Sequence, residues 1–310
     1  MNWRRWAARP QYVAVIALVV LVALNAAFTP NFATAGNLWN VLLQVSTVVL
    51  TAVGMTFVIA TGGVDLSVGS TMAIAAAIAA VLADRGALIA IVAALAGASL
   101  VGALNGALIA SLRAQPIVVT LATLIGGRGL AQIISRDGEL VSVGDPVLLA
   151  LGRGHLGPVP LPAVLALVVA AAAAFVLRDT ALGHRVLAVG GNRAAARLAG
   201  VPVRRTLVTV YGISAALAAL AGVIVASRLG ASDAAKIGQN MELDAIAAVV
   251  VGGTALAGGR ATIGGTVVGA LIMQVIATSF NMLLVPYALS LALKAAIILV
   301  PVYLQRPARA

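Results

Sequence analysis

Cysteine is absent from this chain of 310 residues. Its absence removes disulfides, thiolate metal sites and thiol nucleophiles together, and no metal site is expected. Charge is nearly as scarce. Only 9% of residues are charged, where a soluble domain carries about 25%. So little charge cannot cover a water-facing surface, and it is also the opposite of what a disordered chain needs. His155 and His184 are the only histidines and lie far apart, which leaves acid–base catalysis little material. The only lysines, Lys236 and Lys294, follow alanine and leucine. No Gly-x-x-x-x-Gly-Lys-Ser/Thr loop exists, so the chain has no P-loop of its own.

What is present in abundance is apolar surface. Hydrophobic residues make up 62% and the mean hydropathy is +1.10. The 32 glycines show no period of three, so collagen is excluded. Lipid is the solvent this composition fits. A helix needs about 20 mostly apolar residues to cross a hydrocarbon layer of about 30 Å. Charges and turn residues cut the chain into ten such pieces, near 10–29, 39–60, 66–84, 87–111, 116–135, 161–177, 206–228, 242–257, 265–284 and 288–305. The expected fold class is therefore an all-α integral membrane protein with about ten transmembrane helices. The eighth piece is short enough to be a re-entrant half-helix.

The basic residues set an expected orientation, because cytoplasmic loops collect Lys and Arg. With the N-terminus inside, one set of segments holds Arg4, Arg5, Arg9, Arg113, Arg178, Arg185, Arg193, Arg197, Arg204, Arg205, Arg260, Arg306 and Arg309. The other holds only Arg85, Arg136, Arg153, Arg228 and Lys236, while Arg128 and Lys294 fall within spans. Most acids lean the other way, leaving only Asp65 and Asp179 on the inner side. The asymmetry places both termini inside and makes the number of spans even. It also accounts for the net charge of +11 without nucleic acid. The residues from Gln11 to Phe28 carry no charge and are too many for a signal-peptide core, so they read as an uncleaved first span.

Three polar segments stand out. The first is Thr61-Gly62-Gly63-Val64-Asp65-Leu66-Ser67-Val68-Gly69-Ser70. Its glycines permit irregular backbone, and Asp65 or Ser67 suits the start of the next helix. One reading is a capped turn between helices. The other is irregular backbone at membrane depth lining a solute path, with Gly62, Gly63, Asp65, Ser67, Gly69, Ser70 and Asn105 as candidates. The second segment runs from Arg178 to Arg205. Asn192 is a good N-cap, Gly200 a good C-terminal stop and Pro202 a breaker, which predicts a two-turn surface helix. Arg193 and Arg197 share one face of it. An inner loop is basic anyway, but such a helix also suits docking onto an acidic groove. The third segment is Met241 to Arg260, where Glu242 and Asp244 are expected to cap the outer start of the eighth span. Gly252, Gly253, Gly258 and Gly259 then end it before Arg260. Gly102-x-x-x-Gly106 and Gly265-x-x-x-Gly269 have the spacing that lets helices approach closely.

Polar side chains within the spans are mostly neutral, among them Gln44, Thr47, Thr123 and Gln274. Many will bond a backbone carbonyl, and any that line a path suit an uncharged, hydroxyl-bearing solute. Buried charge for an ion-coupled carrier is scarce.

The Gly-Gly-Val-Asp-Leu-Ser-Val-Gly-Ser run resembles the hallmark of permease subunits of bacterial ribose/galactose-type ABC sugar importers. The segment from Leu182 to Val201 resembles that family's cytoplasmic coupling segment, with Gly183, Arg185, Gly190, Asn192, Arg193, Ala196, Arg197 and Gly200 as the residues that would contact the ATPase. His184 departs from the residues common there. Glu242-Leu243-Asp244-Ala245-Ile246-Ala247, Gly252-Gly253-Thr254 and Gly258-Gly259-Arg260 are similar to its C-terminal signature. From Gly230 to Arg260 the chain looks closest to galactofuranose-type permeases. The resemblance spans nearly the whole chain. It implies one transmembrane permease domain over 1–310 with a cytoplasmic coupling segment at 178–205. It further implies a second permease subunit, identical or paralogous, a periplasmic sugar-binding protein and a separate ATPase subunit that binds ATP, so the chain itself needs no cofactor and does no covalent chemistry. The site would be the bacterial inner membrane, and the cargo a sugar. The order of spans permits an inverted repeat. The competing readings are an ion-coupled secondary transporter and an ABC permease for another small polar solute.

Overall fold

A computed structural model describes residues 10–304, and the side chains of 12–297. Arg4, Arg5, Arg9, Arg306 and Arg309, which contribute to the expected orientation, lie outside the described residues. The chain is helical throughout, in the order α1 (Pro10–Phe28), α2 (Ala35–Ala60), α3 (Val68–Val81), α4 (Ala87–Ser111), α5 (Pro116–Ile134), α6 (Pro146–Arg153), α7 (Leu161–Asp179), α8 (Ala181–Gly191), α9 (Arg193–Leu198), α10 (Val203–Leu229), α11 (Met241–Val251), α12 (Ile263–Met282) and α13 (Tyr287–Leu304). Two small antiparallel pairs are inserted: β1 (Val141–Ser142) with β4 (Ala231–Ser232), and β2 (His155–Leu156) with β3 (Val159–Pro160).

Each of the ten expected spans corresponds to a helix. Among the described residues, six of them, α2, α4, α5, α7, α10 and α12, are long and apolar enough to cross a membrane. Local chemistry sets their ends. The Thr34 and Thr262 hydroxyls accept from backbone N–H groups at the starts of α2 and α12. Proline opens α5, where its missing N–H costs nothing. Gly230, in the left-handed region at φ +74°, closes α10.

Two of the ten are half-helices. At about 1.5 Å per residue, the 14 residues of α3 span about 21 Å and the 11 of α11 about 16 Å. Neither crosses a hydrocarbon layer of about 30 Å. The eighth span is thus the half-helix its length foretold, ending at Val251 rather than 257 because Gly252 and Gly253 follow. The third is a correction: a full crossing over 66–84 was expected, but the helix begins at Val68 and irregular backbone over 61–67 supplies the remaining depth.

These half-helices sit in two matching sets. In the first, α2 leads through a break to α3, then α4 and α5. In the second, α10 leads through a break to α11, then α12 and α13. The packing matches as well: α10 lies against α4 as α2 lies against α12. Helix α3 contacts α4, α5 and α10, and α11 contacts α12, α13 and α2. This is the arrangement an inverted repeat produces. Glycines let the sets close. Gly102 and Gly106 meet the backbone of α10 at Tyr211 and Val208, and Gly265 and Gly269 meet that of Gly252 and Ala248. The buried core runs along α2, α3 and α10, while α4, α5 and α7 show large apolar side chains outward, as lipid-facing helices do.

Candidate functional site

The first break is held by one carboxylate. Asp65 is buried, and its Oδ1 accepts from the Ser67 backbone N–H at 3.0 Å and from Ser67 Oγ at 2.5 Å. Its Oδ2 accepts from Ser214 Oγ of α10 at 2.9 Å. The network continues outward: Asn105 Nδ2 of α4 donates to Ser67 Oγ at 3.1 Å, and Thr123 Oγ1 of α5 donates to Asn105 Oδ1 at 2.6 Å. Ser70 Oγ donates to the Thr123 carbonyl at 3.2 Å. Four helices therefore fix the irregular segment through polar side chains, as backbone removed from helical pairing inside lipid requires. Asp65 holds the N–H of Ser67, the residue before α3, and Ser67 makes no side-chain cap, so neither caps the helix as expected. Asp65, Ser67, Ser70 and Asn105 are brought together, and all four are buried.

Of the glycines before Asp65, Gly63 faces α10, where a Cβ would lie 2.5 Å from the Tyr211 hydroxyl, while Gly62 belongs to a different neighbourhood. Gly62, Gly190 and the Gly258–Gly259 pair come together at the end of the bundle that carries α8 and α9. The Gly259 N–H donates to the Ala60 carbonyl at 3.0 Å. A Cβ on Gly190 would run into the Ala60 carbonyl oxygen and lie 2.5 Å from Gly259 N. A Cβ on Gly258 would lie 2.7 Å from Gly62 N. So the three segments singled out from sequence meet backbone to backbone. From this junction α8 and α9 project. Asn192 Oδ1 accepts from the Ala195 N–H at 2.9 Å, and Gly200 follows at φ +79°, so the two-turn helix has the expected cap and stop. Ala196 is buried, Arg193 half-buried, and Arg185 and Arg197 exposed. Leu198 is 90% exposed at the tip. Helix α8 was not expected. Its signal was legible: Leu182, Val186 and Val189 recur at helical spacing behind a Thr180 cap, and Gly183, Val186 and Val189 are buried.

The third segment departs from expectation at its start. Neither Glu242 nor Asp244 caps α11, which is preceded by Asn240 at φ +61° and has no side-chain cap. Glu242 is buried against Gly69, and its Oε2 has no hydrogen-bond partner among the described residues. Asp244 instead pairs with Lys294 of α13 at 3.1 Å. The reason lies in the second break. Residues 233–240 turn back into the bundle from β4, so α11 starts in its interior rather than at its edge. There Gly238 meets Gly69, and a Cβ on either would strike the other's carbonyl oxygen. Arg128 of α5 secures the segment by donating Nη1 to the carbonyls of Ala234 at 3.0 Å and Ile237 at 2.6 Å.

Beside this segment lies a cavity of about 490 Å³. Gln44 and Thr47 of α2, Arg228 of α10, Asp244 of α11 and Gln274 of α12 line it, with Asp233, Lys236 and Gly238 from the segment itself. It occupies the half of the bundle away from α8 and α9. The residues proposed from sequence for a path do not line it; they brace the neighbouring break.

The family profile described as "Branched-chain amino acid transport system / permease component" matches residues 37–302. The chain belongs to this permease family. Among curated relatives, the ribose import permease protein RbsC of Escherichia coli K12 is 41% identical over 295 residues, covering 93% of this chain and 91% of that protein. The galactofuranose transporter permease protein YtfT of the same strain is 40% identical over 312 residues, covering 95% and 89%. The L-arabinose ABC transporter permease protein AraH of Azospirillum brasilense is 38% identical over 290 residues, covering 93% and 85%. No solved structure matches. As a permease of this family, the chain is a multi-pass membrane protein whose half-helices and breaks face each other at the centre of the bundle. Sequence reasoning did not single out Ser214 or Gly238. Both take their role from a segment distant in sequence that folding brings alongside, a signal no local pattern carries.

Proposed function

We propose that this chain is the transmembrane permease subunit of an ATP-driven importer that carries a sugar across the bacterial inner membrane. The curated relatives support the cargo class, since their names specify ribose, galactofuranose and arabinose. In this reading the α8–α9 end is cytoplasmic, and so are both termini. The segment at 178–205 docks on a separate ATPase subunit that binds the nucleotide. The opposite end, with β1 and β4, receives sugar from a periplasmic binding protein. A second permease subunit, identical or paralogous, completes the assembly. The whole of 1–310 then acts as one permease domain.

The observation that carries the reading is the glycine junction. A docking element that rests backbone to backbone on both Ala60 and Gly259 has no soft layer to absorb its movement. Displacing α8 and α9 must therefore move the start of the first break and the segment that follows α11 together. Such rigid transmission is what coupling ATP hydrolysis to alternating access requires. Leu198 supplies an exposed apolar tip and Arg197 an exposed cation, which suits an acidic groove with an apolar floor.

Surface ion pairs are individually worth about 0–1 kcal/mol, so Arg193→Ala should be mild. Arg193→Glu combined with Arg197→Glu replaces attraction by repulsion at two adjacent points. The expected result is an inserted permease that no longer copurifies its ATPase and imports no sugar. Raised salt should weaken the wild-type contact as well. Full copurification and import by the double variant would show that α9 is not the docking element.

A further inference from the structure

We propose that the cavity beside the second break is the transit site for a neutral, polyhydroxylated solute, and that the amide pair Gln44–Gln274 reads its hydroxyl groups. The inference rests on the permease reading above and deepens it by naming the residues that touch the cargo.

Size and place come first. At about 490 Å³ the cavity falls within the range of small-molecule sites, about 300–1,000 Å³. It lies where α2 and α12 face each other beside the half-helix α11, and discontinuous helices at a repeat interface are where transporters place their cargo. Its inner limit is Gly238, the residue locked against Gly69.

The carboxylates of the lining, Asp233 and Asp244, are each paired with a lysine. Asp244 is already engaged by Lys294 at 3.1 Å, and Asp233 faces Lys236 at 3.5 Å. No uncommitted carboxylate is left to hold a cation, and Arg228 stands on the wall as a donor to which a hydroxyl oxygen can serve as acceptor.

The amides add a donor and an acceptor that face each other. Gln274 Nε2 donates to Gln44 Oε1 at 3.1 Å and to Thr278 Oγ1 at 3.2 Å. Both of its protons are thereby used, while Gln274 Oε1 has no partner among the described residues and is not sealed from solvent. On the facing helix the Gln44 amide donor is likewise uncommitted, and the side chain is exposed to the cavity. One open acceptor beside one open donor matches a hydroxyl, which donates one hydrogen bond and accepts others. A cation matches only the acceptor, and a carboxylate only the donor.

The test uses the complete importer in proteoliposomes with its ATPase and binding protein, and radiolabelled ribose, arabinose and galactose as probes. Gln44→Leu with Gln274→Leu should cut sugar import about tenfold, the loss of two hydrogen bonds of ordinary strength. A second measurement does not depend on that variant folding. Because the chain has no cysteine, Gln44→Cys introduces a unique thiol. Its modification by a methanethiosulfonate reagent should be slowed by the transported sugar and not by galacturonate at equal concentration. Unchanged import in the double leucine variant would overturn the assignment, and so would labelling of the thiol that sugar does not slow. Stronger protection by galacturonate would overturn the neutral-solute class. If the wild-type complex imports none of the sugars with ATP, the permease reading itself fails, an outcome distinct from all of these.

Discussion

Gly190→Val should abolish import while leaving the permease in the membrane. A Cβ at this position would run into the Ala60 carbonyl oxygen and press on Gly259 N. Both obstacles are backbone, so no rotamer change relieves them. The junction must open, and α8 and α9 then lose their fixed relation to the two breaks. Import should fall to background, and sugar-loaded binding protein should no longer stimulate the ATPase. The adjacent residue is the control. Nothing lies within 4 Å of a Cβ at Gly191, so Gly191→Ala should import at near the wild-type rate. Uptake and stimulated ATP hydrolysis, measured on the same preparations, decide the matter. Equal behaviour of the two variants would show that the close approach does not transmit movement.

Asp65→Ala should have the second large effect, on stability first. It leaves Ser214 Oγ and both the N–H and Oγ of Ser67 without their acceptor in a buried site. Each orphaned buried group costs about 1–3 kcal/mol, so the total is several kcal/mol and comparable with the stability of a whole domain. The expected outcome is a large drop in the thermal midpoint in detergent, and little assembled complex. Asp65→Asn keeps one acceptor oxygen, and its amide can donate to Ser214, whose hydroxyl also accepts. That variant should assemble, with a smaller drop in midpoint. A thermal midpoint for Asp65→Ala equal to wild type would remove Asp65 from its bracing role.

The ten helices and the cap and stop of α9 were legible because they rest on local rules: apolar length, an Asn before a helix and a Gly after it. Asp65 was legible as a polar residue in an irregular segment, and Asn105 as its neighbour in function. What stayed hidden depends on contacts between distant parts of the chain. The half-helix nature of α3 follows from Asp65 reaching Ser214 of α10, which lets 61–67 stay non-helical inside the bundle. Composition alone makes that stretch look like the end of a loop. Glu242 and Asp244 read as caps because acidic residues favour helix starts. In the fold, one lies buried against Gly69 and the other is drawn to Lys294. Gln44 and Gln274, ordinary polar residues within apolar spans, acquire meaning only when α2 and α12 set them face to face.

Coupling of ATP hydrolysis to movement of the two breaks through α8 and α9 is tested by sugar accumulation in proteoliposomes that contain the permease, the ATPase and the binding protein, with ion gradients collapsed by ionophores. Accumulation should require ATP and binding protein and survive the ionophores. Accumulation driven by an ion gradient in vesicles that contain the permease without any ATPase would contradict it.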